Sequence, residues 1–357
     1  MMFDYATLKS IFFKFDPETA HKIAEYGMIA ADKILPSSLS FVTNKCVISD
    51  ARLQQNLLGS IYNNPVGIGG GFDKNATMFS GLTALGFGHL EFGTFTPKPQ
   101  PGNDKPRLFR LIEEESIQNA MGFNNDGSKE IKRRVSKLYP NVIPLWANIG
   151  KNKVTPNEKA INDYEILVRD FAQLCDAFVV NISSPNTPNL RALQENEFIT
   201  ELFSRIKPLT KKPIILKISP DLSHEKAIEI SQNAVSSGAD GIIISNTSID
   251  YTLSNSPNLK SFGGLSGKVI TQRSREIFKA VASELYGKTT LIACGGIDSA
   301  KEAYERIKMG ASLVQIFTSF IFKGPMICKE INSGILELLE ADGYAHIIEA
   351  IGADVKK

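Results

Sequence analysis

The chain has 357 residues, 43% of them hydrophobic and 22% charged, the balance of a soluble globular protein with material for a large core. Its 40 basic and 38 acidic residues leave a net charge of +2. That is too even to attract nucleic acid globally, so nucleic acid is not an expected partner and any membrane contact has to be local. Cys46, Cys175, Cys294 and Cys328 stand far apart with no Cys-x-x-Cys pair, so no metal or iron–sulfur cluster is expected. No run approaches the ~18 apolar residues that cross a bilayer, and the start lacks the small-residue cleavage site of a secretory signal.

Residues 1–40 differ in kind from the rest. Leu8, Ile11, Phe12 and Phe15 fall at i, i+3, i+4 and i+7, one apolar helical face. Asp16-Pro17-Glu18 then reads as N-cap, N1 and N2 of a second helix carrying Ala20, Ile23, Ala24 and Ile34. This amphipathic pair has two readings: a cover packed on the body, or a patch that dips into a membrane interface and admits an apolar substrate.

Eight short apolar runs follow at 65–71, 89–96, 142–150, 177–183, 213–219, 241–246, 290–296 and 313–318. Most are continuous rather than alternating, as strands covered on both faces are. Segments of helical spacing lie between them, at 158–174, 224–235, 274–285 and 299–309. Strand and helix alternating eight times predict an α/β fold, the (β/α)8 TIM barrel. The competing doubly wound sheet needs fewer strands and a G-x-G-x-x-G fingerprint, whose spacing Gly67-Ile-Gly-Gly-Gly71 misses. The expected organisation is an N-terminal helical segment over 1–40, the barrel over 41–340 and a C-terminal tail over 341–357. Two long polar insertions, 97–125 and 249–267, are expected to hang over the carboxyl end of the barrel, the first as a lid.

Barrel enzymes work at the carboxyl ends of their strands. Here those ends carry amides, glycines, hydroxyls and two lysines, with carboxylates nearly absent. Gly295-Gly296 after the seventh strand and Thr318 after the eighth suit a phosphate held on backbone N–H groups, with Gly264-Leu-Ser-Gly267 as a further source of donors. A lysine at a buried mouth costs several kcal/mol unless an anion meets it, so Lys74 and Lys217 predict two anionic partners. One is a substrate carboxylate, the other a cofactor that becomes negative on reduction, such as a flavin. The fourth strand ends in Asn181-Ile-Ser-Ser-Pro-Asn-Thr-Pro188, and none of His21, His89, His224 and His346 is placed to activate Ser184. A serine there removes a proton from carbon only if the charge drains at once into an electron acceptor, its own proton leaving by a relay for which Thr187 is nearby.

These endings resemble, nearly along the whole chain, the quinone-dependent (class 2) dihydroorotate dehydrogenases. The matching pieces include Asp16-Pro-Glu with Ala20-His21, Gly71-Phe-Asp-Lys74, Gly93-Thr-Phe-Thr-Pro-Lys-Pro-Gln-Pro-Gly102, Lys105-Pro-Arg-Leu-Phe-Arg110 and Met121-Gly-Phe-Asn124. Asn148-Ile-Gly-Lys-Asn152, Asn181 to Pro188, Gly263-Gly-Leu-Ser-Gly267, Gly295-Gly-Ile-Asp298 and Ala311-Ser-Leu-Val-Gln315 continue the match in order.

The resemblance implies a barrel with one tightly bound FMN that oxidises dihydroorotate to orotate in pyrimidine biosynthesis and passes the electrons to a membrane quinone. It implies Ser184 as catalytic base. Lys74, Asn119, Asn181, Asn186, Asn246 and Thr247 would hold the substrate, lined by Ala120, Met121, Gly122 and Phe123. Gly70, Gly71, Phe72, Asp73, Lys74, Thr94, Asn148, Asn181, Lys217, Ser245, Gly267, Gly296, Phe317 and Thr318 would contact FMN. Serine at the base position, where relatives using soluble acceptors carry cysteine, and the helix pair at 1–40 both point to the quinone class. Location is expected at the cytoplasmic side of a bacterial inner membrane, peripherally through residues 1–40, with no obligatory protein partner. Relatives commonly have Arg at Ala120, Thr at Ser245 and Tyr at Phe317; the last removes a hydroxyl beside the flavin. Arg110 is the candidate for the quinone head group.

Overall fold

Side chains alternate between the two faces of a strand, and that alternation places the site. The computed structural model describes residues 5–34 and 36–355; residues 1–4, 35, 356 and 357, which the expected N-terminal segment and C-terminal tail include, lie outside the described residues. Three helices come first, α1 (Tyr5–Phe12), α2 (Pro17–Ile34) and α3 (Pro36–Cys46). Asp16 Oδ1 accepts the backbone N–H of Glu18 at 3.0 Å and of Thr19 at 3.2 Å, so the expected N-cap forms and Pro17 opens the helix. Helix α3 runs through residue 40, so the helical extension ends at Cys46 rather than at the expected boundary.

A hairpin of β1 (Gln55–Leu57) and β2 (Ser60–Tyr62), not anticipated from the sequence, precedes the barrel. Strands β3 (Val66–Asp73) and β4 (His89–Phe95) begin it, and the chain then leaves it for β5 (Leu108–Leu111) and β6 (Ser116–Asn119). It returns as β7 (Leu145–Ile149), β8 (Ala177–Asn181), β9 (Ile214–Ile218) and β10 (Gly241–Ile244). After a second excursion through β11 (Gly264–Gly267), β12 (Thr290–Cys294) and β13 (Leu313–Ile316) complete it. The eight barrel strands are parallel and closed, β10-β12-β13-β3-β4-β7-β8-β9, with β13 paired to β3. All eight predicted runs are these strands. The helices Ala160–Phe171, His224–Ser236, Thr271–Leu285 and Ala300–Lys308 occupy the predicted helical segments. Closure removes the open-sheet alternative.

Burial explains the continuous apolar runs. One parity, with Leu145, Ala147, Phe178, Val180, Leu216 and Ile242, packs under the surrounding helices. The other, with Trp146, Ala177, Val179, Ile215, Ile243, Ile292 and Leu313, fills the barrel. Tyr62 from the hairpin joins this inner cluster, its hydroxyl accepting the Trp146 Nε1–H at 3.1 Å, so β1–β2 plugs the amino-terminal end. At the opposite end the two insertions form one antiparallel sheet, β11-β6-β5, with Asn119 in register with both Gly264 and Leu108. The expected lid is therefore built by two segments far apart in sequence. Residues after the helix Ile327–Ala341 do not trail away: Ile347 and Ala350 are fully buried, and the Gly352 N–H reaches Ile307 O at 3.0 Å.

Candidate active site

Because the inner parity of β7 runs through Trp146, Asn148 also points inward; the same rule sends Glu91, Asn181 and Lys217 into the barrel above the apolar plug. There they form one chain of hydrogen bonds across four strands. Lys217 Nζ meets Glu91 Oε1 at 3.1 Å and Oε2 at 3.3 Å. Asn148 Nδ2 donates to the same Glu91 carboxylate while its Oδ1 accepts the Thr94 hydroxyl at 2.5 Å. Asn181 Nδ2 donates to Thr94 Oγ1 at 2.8 Å, and Asn246 Nδ2 reaches Asn181 Oδ1 at 3.2 Å and Ser183 Oγ at 2.9 Å. Gly70 on β3 makes room for this: a Cβ there would strike the Glu91 carboxylate and come within 2.6 Å of Asn148 Nδ2.

The two mouth lysines differ. Burial works against the Lys217 ammonium, but Glu91 outweighs it and holds the group above the ordinary lysine range. The expectation that Lys217 must wait for an outside anion is thus corrected, because a fully buried glutamate, inside a strand rather than at its end, lies beneath the mouth. Lys74 has no such partner. Its Nζ donates to Gly71 O at 2.6 Å, no carboxylate among the described residues pairs with it, and burial pulls it down to about 8. It remains a cation in need of an anion.

Ser184 is buried and its Oγ accepts the Asn186 N–H at 3.3 Å. The histidines are engaged elsewhere. His21 lies edge-on to Phe72 at 5.1 Å, His89 stacks on Trp146 at 4.3 Å, and His224 and His346 stand at helix starts. Thr187 Oγ1 is buried without a hydrogen-bond partner, as a free relay hydroxyl would be. Asn186 Nδ2 donates to Asn119 Oδ1 at 3.0 Å, linking the Ser184 loop to the cap sheet.

One cavity of about 530 Å³ takes in every residue expected to touch FMN or the substrate except Asn148 and Ala120, while Thr187 and Gly264 do not line it. Asn148 lies beneath its floor, and Ala120 is held by its backbone, its N–H on Arg107 O at 2.8 Å and its C=O on Asn103 Nδ2 at 3.0 Å. The Asp73 carboxylate is taken up by the backbone N–H groups of Thr77 and Met78, which fixes the turn that follows β3. The cavity continues to α1 and α2, where Tyr5, Phe13, His21 and Arg110 line it. Arg110 lies over the Phe13 ring at 4.5 Å and donates to Phe15 O at 2.9 Å. Among the described residues, no group of three His, Cys, Asp or Glu is placed to hold a metal.

FMN fits this donor set. At the end near Thr318, Gly267, Gly295 and Gly296 converge with positive φ, and Gly296, at +72° with Thr271 against its α-carbon, admits no side chain. Such a glycine cradle suits a phosphate, and Lys217, Asn181 and Ser245 line the same cavity with polar atoms that would be available to a flavin ring. The groups missed from the sequence are Glu91, Arg107, Glu18 and Asn103. Glu91 alone had a local signal, a carboxylate inside an apolar strand at the parity that Trp146 and Asn148 share.

A mouth with a hydroxyl that no base assists, one unpaired ammonium and a cradle for a bound group defines a (β/α)8-barrel oxidoreductase, whose electrons leave through what it binds. The family profile described as "Dihydroorotate dehydrogenase" matches residues 52–339. A relative from a Nitratiruptor species, "Dihydroorotate dehydrogenase (quinone)", is 55% identical over 353 residues, covering 99% of this chain and all of that one. One of the same description from a Sulfurovum species is 54% identical over 354 residues, covering 99% of each. A solved structure, "Crystal structure of DHODH in complex with ferulenol from Eimeria tenella", superposes with a TM-score of 0.87 at 33% identity, covering 96% of both chains. The chain belongs to the dihydroorotate dehydrogenase family, in its quinone-dependent class.

Proposed function

We propose that the protein oxidises (S)-dihydroorotate to orotate with one FMN bound in the barrel mouth, and that the electrons pass to a membrane quinone. The observation that carries this is the meeting in one cavity of the unassisted Ser184 hydroxyl, the unpaired Lys74 ammonium and the glycine cradle. Bound FMN would supply the acceptor for the hydride from C6 and the route by which electrons leave for the quinone. Ser184 Oγ takes the C5 proton, with Thr187 as the next hydroxyl along. Lys74 pairs with the substrate carboxylate. Asn119, Asn181, Asn186 and Asn246 read the ring, since each amide offers a donor and an acceptor without burying charge. The cap sheet and Phe123 keep water from the reacting carbons.

The quinone enters along the arm of the cavity lined by α1 and α2, with Arg110 at its polar end. Ile11, Tyr26, Ile34 and Phe41 on the three N-terminal helices, and Phe15 between α1 and α2, are exposed, apolar surface suited to resting in a lipid interface. Among the described residues no helix is long and apolar enough to cross a membrane. The exposed apolar surface supports a peripheral attachment, which this reading assigns to the cytoplasmic side of a bacterial inner membrane.

The test is anaerobic mixing of Ser184→Ala with dihydroorotate. Flavin bleaching should slow by about 10²–10⁴, the usual worth of a general base, while orotate still binds. Bleaching at the wild-type rate refutes the assignment.

A further inference from the structure

Beneath the cavity floor lies a charge that the proposed reaction does not use. Glu91 is fully buried and does not line the cavity, whereas Lys217, which it holds, does. Bulk stability does not account for such a pair, since well-packed apolar residues in place of a buried ion pair are commonly neutral or stabilising. The surroundings are built around it nonetheless. Asn148 donates to the carboxylate, and position 70 on the neighbouring strand is open only to glycine because the carboxylate and that amide occupy the space.

The other titratable groups facing Lys217 carry no charge near neutral pH. His89, two residues before Glu91 on the same strand, is driven down to about 3 by burial, with Lys217 adding to the effect. The Cys294 thiol on β12 is pushed up by burial. Among the described residues, Glu91 is therefore the single counter-charge in contact with Lys217.

We propose that Glu91 is a positioning residue that keeps Lys217 an ammonium, aimed at the cofactor, in both oxidation states of the flavin. The proposal rests on the FMN reading above. With Glu91 in place, two electrons enter the cofactor and Lys217 exchanges no proton. With a neutral amide there, burial acts on the lysine unopposed, so Lys217 rests as an amine and takes one proton from solvent, on Nζ, when the electrons arrive. The cofactor would take up the same two electrons and its own proton in either protein, so the N–H bond at Nζ, its proton drawn from solvent, is the one bond change by which the variant differs.

The test compares Glu91→Gln, Lys217→Gln and the double variant with the wild-type holoprotein, reading FMN affinity by fluorescence and the two-electron midpoint potential from pH 6 to 9. In E91Q, FMN should bind at least tenfold more weakly. The potential should fall more steeply with pH by one proton, tenfold in the redox equilibrium or about 30 mV per pH unit. In the K217Q background, the Glu91 change should alter affinity less than twofold and leave the slope alone. Wild-type affinity and slope in E91Q, or the same change in both backgrounds, overturns the role. Should E91Q take up too little FMN to titrate, Glu91→Asp decides: the retained carboxylate should keep the wild-type slope, and a steeper slope overturns the proposal. A wild-type protein that binds no FMN refutes the cofactor reading instead, and is seen before any variant is made.

Discussion

Lys74 is the residue whose chemistry is most exposed to a simple titration. Its neighbourhood lacks a paired carboxylate and burial brings it to about 8, so above that pH the empty site loses its cation. A carboxylate ligand binds the charged form, and the sign follows. Orotate affinity should be level below pH 8 and weaken toward tenfold per unit above it, and Lys74→Gln should be weak at every pH. Titration of orotate from pH 6.5 to 9.5 checks this; a level profile to pH 9.5 would mean that the lysine is compensated. Gly70 makes a second prediction. Because its missing side chain is the space used by Glu91 and Asn148, Gly70→Ala should lower FMN affinity at least tenfold without opening the barrel, measurable by fluorescence and circular dichroism.

At the scale of elements, the cap is bolted to the N-terminal helices. Glu18 on α2 meets Arg107, on the approach to β5, at 3.0 Å, with both side chains nearly buried. Arg107 also donates to Pro101 O at 2.6 Å and Asn103 O at 2.7 Å, and Asn103 Nδ2 reaches Asn186 O at 3.0 Å. A helix on the proposed quinone side is thus tied, through two residues, to the loop that carries Ser184. Breaking one partner of a buried pair costs about 3–5 kcal/mol, and the two remaining carbonyl bonds put Glu18→Gln near the low end. The expected outcome is faster amide exchange over residues 97–125 and weaker orotate binding; unchanged exchange there would dismiss the bolt. On the outer face of the same helices, replacing exposed Ile11, Ile34 and Phe41 together by Glu should abolish vesicle binding and slow quinone reduction. Flavin bleaching by dihydroorotate should survive, since none of the three reaches the barrel mouth.

For the molecule as a whole, acid stability reports the sealed end of the barrel. His89 is fully buried against Trp146, and its Nδ1 has no hydrogen-bond partner. Its folded value, about 3, lies below that of the unfolded chain, so the unfolded state takes the proton first. The stability is complete above pH 6.5 and is lost as pH falls toward 3. By pH 5 the loss from this group is about 2 kcal/mol, at 1.36 kcal/mol per pH unit. Urea unfolding of the wild type and His89→Gln at pH 7 and pH 5 tests it: the variant should lose less between the two, and an equal loss would place the acid sensitivity elsewhere.

The barrel was legible because each of its strands is a run of apolar residues whose covering on both faces shows in the chain itself, and because the amide-rich ends follow those runs directly. The helical entry at Asp16-Pro17-Glu18 was legible for a similar reason, as a cap needs only neighbours in sequence. Ser184, Lys74, Asn181 and Lys217 could be chosen as site residues since a barrel's working face is set by strand direction. What local sequence does not contain is a partner reached across space. The Glu91–Lys217 pair joins strands 126 residues apart, the cap sheet joins β6 to β11, and Arg107 finds Glu18 on another element. Chain sequence determined the barrel, its polarity and the chemistry of its rim. Tertiary closure alone decided which lysine is neutralised and which stays free, because charge compensation depends on distances of a few ångströms between segments that no spacing along the chain encodes.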